Sequence, residues 1–164
     1  MFEELKLHIS CKDNKVLHLS LELINNVEYF KEIISDLKPN DQIEFPFSEK
    51  SINVLVEFLN HFKDIPFPII ERPLRVPLKA ALKDEFLFNL LSKSSQDLAE
   101  IIDLGNYIRF QPLFDAASVA FASKIIWKNP EEIRKEFNIT NDLNQEDNEK
   151  INEFFDWVPE LFSR

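Results

Sequence analysis

Hydrophobic and polar residues alternate strictly at the start of the chain. Leu5, Leu7, Ile9 and Cys11 fall on one side and Lys6, His8 and Ser10 on the other, the period of a strand buried on one face. Lys12-Asp13-Asn14-Lys15 reads as a turn, and Val16 to Leu19 as the returning strand. The period then lengthens. Ser20 can cap a short helix, and Val27, Phe30, Ile33, Ile34 and Leu37 line the apolar face of a second. Pro39-Asn40-Asp41 breaks that helix, and Gln42 to Phe45 make a third short strand ending at Pro46. Ser48 can cap the helix that follows, with Ile52, Leu55, Val56 and Leu59 on its buried face.

Residues 63–83 break the pattern. Pro66, Pro68, Pro73 and Pro77 forbid a regular helix and disfavour a central strand, so a long Pro-rich surface connection is expected. Its run Ile65-Pro66-Phe67-Pro68-Ile69-Ile70 is apolar and expected to pack down, although a binding surface of its own is the alternative. Helical spacing resumes after Asp84. Phe86, Leu87, Leu90 and Leu91 suggest a short helix. Ser94 or Ser95 can cap another, in which Leu98, Ile101, Ile102 and Gly105 face inward. Gly105 is the only glycine, which suits the close approach of a neighbouring backbone. Pro112 opens a helix expected to run to about Ile126, with Leu113, Ala116, Ala117, Ala120 and Lys124 at near-helical steps.

The most specific stretch lies near the end, from Asn129 to Ile139. Asn129 can cap, Pro130 suits the first helical position, and Glu131 and Glu132 sit well at the positive end of a helix dipole. Asn129 and Glu132 have the spacing of a capping box. Ile133 and Phe137 share one face, with Ile139 just beyond. A helix of about two turns is not stable alone and needs a surface to lie against. Asn144 can cap a last helix bearing Ile151, Phe154 and Phe155, and Trp157, Leu161 and Phe162 follow. That is much large apolar surface for a tail with no strand and no long helix, and it is how a groove for partner helices would look.

Composition narrows the function. A length of 164 residues predicts one soluble domain with a sizeable core, and 16 Phe make that core aromatic-rich. The net charge of −10 argues against binding a phosphate backbone, so no nucleic-acid partner is expected. From Lys128 to Arg164 ten acids stand against five bases, leaving −5: a solvated acidic face, or a rim that selects a basic partner. The lone Cys11 excludes an internal disulfide and suits a reducing, intracellular compartment. No apolar run approaches a membrane span, and the first residues lack the layout of a secretory signal.

Candidate chemistry is nearly absent. One glycine cannot build a phosphate cradle. His8 and Cys11 fall on opposite strand faces and cannot share a metal, and His18 and His61 have no acidic or thiol partner at ligand spacing. Glu131-Glu132 is explained by capping, and the serines lack a nucleophile elbow. No metal, cofactor or catalytic residue is expected. What remains is protein–protein interaction.

The stretch from Pro130 to Ile139 closely resembles a signature of the S-phase-kinase-associated adaptor family, the adaptor subunit of SCF cullin-RING ubiquitin ligases. There a Pro-Glu-Glu-Ile-Arg-Lys-x-Phe-Asn-Ile run continues as x-Asn-Asp, and here Thr140-Asn141-Asp142 follow in register. Asn106-Tyr107-Ile108 with Leu113-Phe114-Asp115 is similar to the family's Asn-Tyr-Leu…Leu-Leu-Asp segment at the same spacing. The resemblance covers nearly the whole chain and is loosest before about Asp84.

The resemblance implies an α+β fold: a BTB/POZ-like domain over residues 1–127, with a small three-stranded sheet flanked by helices, and a two-helix F-box-binding extension over 128–164. It implies a non-catalytic adaptor that bridges a cullin N-terminal domain to F-box substrate receptors, in cytoplasm and nucleus. Two adjoining surfaces on one rigid body would fix the distance between receptor and ubiquitin-transfer module. Residue by residue, Asn106 and Tyr107 match the cullin-facing surface. Phe114, Ile125, Pro130, Ile133, Phe137, Asn138, Ile139 and Trp157 match positions on the F-box side. A homodimer through the POZ half is compatible with it. Arg109 stands where the family usually has an acid, and Pro112 where it often has glycine. Both neighbour the cullin-facing segment, so the alternative is an F-box-binding scaffold or decoy that does not engage cullin.

Overall fold

Leu7, Ile9 and Cys11 are buried, and this apolar side of the first strand anchors the sheet. The computed structural model describes residues 6–36, 42–71 and 75–155, so Leu5, Leu37 and the break at Pro39 lie outside the described residues. Strand β1 (Lys6–Ser10) turns through Asn14 in a left-handed conformation and returns as β2 (Val16–Ser20). The pair is antiparallel, with Leu7 opposite Leu19 and Ile9 opposite Leu17. A parallel third strand cannot follow by a tight turn. The crossover is made by α1 (Leu21–Ile24) and α2 (Glu28–Asp36), after which β3 (Gln42–Glu44) pairs with the other edge of β1, Ile9 opposite Ile43. The order is β2-β1-β3. Ser20 does precede α1, but its side chain makes no capping bond.

Helix α3 (Glu49–His61) starts at Ser48, whose Oγ accepts from the Ser51 N–H as capping predicts. Its buried face is wider than the spacing suggested: Val54 and Phe58 join Ile52, Leu55 and Leu59, while Val56 is half-buried. Two further helices are α5 (Glu85–Leu90), capped by Asp84, and α6 (Ser95–Tyr107), capped by Ser94. Glu100 of α6 reaches back to the start of α3. Its carboxylate accepts from Ser48 Oγ at 2.6 Å, Ser51 Oγ at 2.7 Å and the Ser48 N–H at 3.0 Å.

Three expectations need correction. The Pro-rich connection is not wholly irregular: α4 (Leu78–Leu82) lies inside it and buries Leu82. Pro77 stands before this helix, at φ −56°, where proline's missing N–H costs nothing. Packing of the apolar run is also partial. Phe67 stacks against Phe58 and meets Phe110 edge-on, but Ile65 is exposed and Ile69 almost wholly so, at 89%. Helix α7 (Gln111–Ala122) stops short of Ile126. Ser123 Oγ donates to the Ala120 carbonyl at 2.6 Å, and the N–H groups of Lys124 and Ile125 bond three residues back rather than four, so the last turn tightens and the helix ends.

Gly105 holds α6 against α7. A Cβ placed on it would lie 2.9 Å from the Phe114 nitrogen and 3.1 Å from its Cα. The chain divides into two compact units, Met1–Trp127 and Lys128–Arg164. The second contains α8 (Pro130–Phe137) and α9 (Gln145–Phe155). Among the described residues, no helix is long and apolar enough to cross a membrane.

Two outcomes test this packing. Gly105→Ala gains about 1 kcal/mol of helix propensity but overpacks backbone against backbone at about 1–3 kcal/mol, so a net loss of stability is expected in urea unfolding. Burial pushes the Glu100 carboxyl up, but the two serine hydroxyls and the Ser48 N–H outweigh it and hold it below its ordinary 4.5. A carboxyl lowered in the folded state stabilises fully above its unfolded value and loses that contribution as pH falls through the lowered one. The urea midpoint of the wild type should therefore fall below about pH 4.5, and Glu100→Gln should flatten that decline.

Candidate functional site

Tyr107 ends α6 and stays 43% exposed while its ring packs on three others. The centroids of Tyr29, Phe45 and Phe47 lie 5.3, 5.4 and 5.4 Å away, tilted or edge-on as aromatic quadrupoles prefer. Phe45 and Phe47 are buried, so the exposed ring rests on core aromatics. The Tyr107 and Tyr29 hydroxyls are 3.1 Å apart, a hydrogen bond between α6 and α2. Burial and then that bond push the Tyr29 phenol well above its ordinary value.

The turn after Tyr107 alternates inward and outward. Ile108 and Phe110 are buried, Asn106 and Arg109 exposed. Arg109 takes φ 52°, a left-handed residue in the reversal between α6 and α7. Its guanidinium donates to the Glu32 carboxylate on α2. The patch formed by Asn106, Tyr107, Arg109, Tyr29 and Glu32 is thus aromatic and polar with its one cation paired. It contains no nucleophile–base arrangement and suits recognition.

The other residues singled out in the first unit are Phe114, half-buried on α7, and Ile125, exposed beyond its end. Trp127 was missed. It is 77% exposed at φ 66°, and its only sequence signal is a large aromatic outside any helical stripe.

In the second unit, α8 is closed at both ends by its own residues. The Asn129 side chain accepts from the Glu132 N–H and the Glu132 carboxylate accepts from the Asn129 N–H, each at 2.9 Å. This is the reciprocal capping box that the sequence predicts, with Pro130 in the first turn. Asn138, at φ 53°, ends the helix, and the Ile139 N–H returns to the Arg134 carbonyl at 2.8 Å. Lys128 and Glu136 add an ion pair at 3.1 Å. On α9, Asn144 accepts from the Asp147 N–H at 2.9 Å and Asp147 accepts from the Asn144 N–H at 3.2 Å.

From Lys128 to Phe154 no residue of this unit is buried. Ile133 and Phe137 are half-buried, and Ile139, Leu143, Ile151 and Phe154 are exposed. Trp157 lies outside the described residues.

His61 has an acidic partner in space, though none at ligand spacing in sequence: its Nε2 lies 2.8 Å from Asp84 Oδ2, while Asp84 Oδ1 accepts the Leu87 N–H that begins α5. The two residues are 23 apart across the Pro-rich connection, so no local spacing rule finds them. Phe86 stacks on the imidazole at 4.1 Å, and the pair serves as a bridge between α3 and α5. Among the described residues, no group of three or more His, Cys, Asp or Glu could hold a metal.

Residues 111–158 match the Skp1 family, dimerisation domain. The chain is 30% identical over 160 residues to the S-phase kinase-associated protein 1 homolog of Tetrahymena thermophila, covering 96% of each chain. The chain belongs to the Skp1 family. Two further relatives in that comparison are the Suppressor of kinetochore protein 1 of Schizosaccharomyces pombe and the E3 ubiquitin ligase complex SCF subunit sconC of Emericella nidulans. They are 27% and 28% identical, over 93% and 94% of this chain and 97% of each of theirs. With a BTB/POZ-like fold, the family gives the three-stranded sheet and its surrounding helices their place.

Removing the α8 cap should act locally. Asn129→Ala is expected to cost about 1 kcal/mol of helix stability, read as faster amide exchange from Ile133 to Phe137 with exchange in α3 unchanged.

Proposed function

We propose that this chain is the adaptor subunit of an SCF-type ubiquitin ligase and bridges a cullin to F-box substrate receptors. One observation carries the reading most directly: relatives that align over nearly its whole length include subunits named for that complex. The geometry supports it. The second unit keeps large apolar side chains at the surface of capped helices, as a helix-binding partner would require. The first unit carries an exposed tyrosine on a fixed aromatic base.

In this reading residues 128–164 are the F-box-binding extension. Pro130, Ile133, Phe137, Asn138, Ile139 and Trp157 meet the F-box helices, as do Phe114 and Ile125 of the first unit. Asn106 and Tyr107 meet the cullin N-terminal domain. Binding both partners at once makes the transfer of ubiquitin effectively intramolecular, so the adaptor acts by raising effective concentration and not by chemistry of its own. A reducing intracellular setting, cytoplasm and nucleus, fits the buried free thiol of Cys11, which burial pushes above its ordinary value.

Co-purification with an F-box segment and a cullin N-terminal domain tests the reading. The wild type should form a ternary complex. Tyr107→Lys should abolish cullin capture and leave the F-box pair intact, whereas Phe137→Ala should weaken the F-box pair by about 2 kcal/mol or more. A wild-type chain that captures neither partner would refute the proposal.

A further inference from the structure

We infer that Glu32 and Tyr29 on α2 are positioning residues for the cullin-facing surface, holding Arg109 and Tyr107 ready for the partner; the inference rests on the adaptor reading above. Tyr29 and Glu32 are three apart on one helix and so share a face. Each bonds a different residue at the end of α6: the Tyr29 hydroxyl meets that of Tyr107, and the Glu32 carboxylate takes the Arg109 guanidinium. Two rungs from one helix therefore clamp two exposed side chains that lie two residues apart.

Folding does not explain the outer rung. Arg109 and Glu32 are 62% and 55% exposed, and ion pairs that open to water contribute little to stability. Binding does explain it. A long arginine left free must lose its rotamer freedom when a partner arrives, and a side chain already held loses less. The bond to Glu32 occupies one terminal nitrogen of the guanidinium, Nη2. Arginine carries five N–H donors in a planar fork, which leaves others free for a carboxylate or carbonyl of the cullin. Beside it, the Tyr107 ring offers a face for an apolar side chain, and Asn106 an exposed amide. Tyrosine and arginine at the centre of a contact are the residue types that dominate binding energy.

The test measures cullin N-terminal domain affinity for the chain already bound to an F-box segment. Glu32→Ala and Arg109→Ala should each weaken binding about fivefold to twentyfold, and the double variant should be no worse than the weaker single variant. Glu32→Gln, which keeps an acceptor, should recover part of the loss, and Tyr29→Phe should cost about threefold. Melting temperature should stay at the wild-type value in the Glu32 and Arg109 variants, and F-box affinity in all of them. If charge alone mattered, the two single variants would shift affinity in opposite directions and add, which would overturn the inference. Wild-type affinity in both single variants would overturn it too, while leaving the adaptor reading intact. A wild-type chain that binds the F-box segment but never the cullin would defeat both the inference and the cullin half of that reading.

Discussion

At the corner between α6 and α7 two backbones meet with no side chain between them. Gly105 permits this, since any Cβ there would fall within 3.2 Å of the nitrogen, Cα and Cβ of Phe114. The turn that closes the corner follows from that approach: the Phe110 N–H bonds the Gly105 carbonyl at 2.8 Å, the Phe114 N–H bonds the Phe110 carbonyl, and Arg109 reverses the chain at positive φ. Ile108 and Phe110 then point into the core, and Asn106, Tyr107 and Arg109 out of it. Tyr107, on the surface we assign to cullin, and Phe114, assigned to the F-box partner, are thus set by one contact inside the first unit. A shift of one helix against the other would move both.

Each unit is stabilised internally by different means. The first buries its aromatic and aliphatic residues: Phe30, Phe58, Ile9, Ile52, Leu55 and Leu98 are among its fully buried side chains, and Phe45 links that core to the exposed ring of Tyr107. The second has no buried residue from Lys128 to Phe154, and its helices carry strong end effects: a reciprocal capping box, a left-handed asparagine, and ion pairs such as Lys150–Glu146. Such terms are worth about 0.3–2 kcal/mol each, while a buried large apolar side chain is worth about 1.5–3 kcal/mol. Capping selects the helical conformation and its boundaries through backbone ends and polar side chains, and Ile139 and Ile151 remain exposed beside it.

Local chemistry was legible in the sequence wherever the cause was local. Alternation at Leu7, Ile9 and Cys11 identified the strand face, and Ser48, Ser94, Asn129 and Asn144 announced helix starts that the structure reproduces. The role of Gly105 was readable because it has few physical explanations. What sequence could not reveal was tertiary. Glu100 clamps Ser48 from 52 residues away, His61 finds Asp84 across the Pro-rich connection, and Glu32 pairs with Arg109 at a separation of 77. The end of α7 escapes sequence reading for another reason. A serine whose hydroxyl bonds a carbonyl three residues back tightens the last turn, and apolar periodicity carries no trace of that competition.

The Tyr29–Tyr107 pair shows how a recognition surface can be made stiff at small cost. An exposed tyrosine on an otherwise polar surface would sample several rotamers, and each that a partner must exclude weakens binding. Here the base of the ring lies on Phe45 and Phe47, which the core already holds, and its hydroxyl is tied to α2. Rigidity is borrowed from side chains buried for the sake of folding. The same reasoning separates two kinds of substitution at this patch. Changes to Phe45 or Phe47 remove buried area and are felt throughout the unit, whereas changes at the outward rim alter only what a partner meets. A surface built in this way can vary its rim between relatives while its aromatic base stays under the constraint of folding.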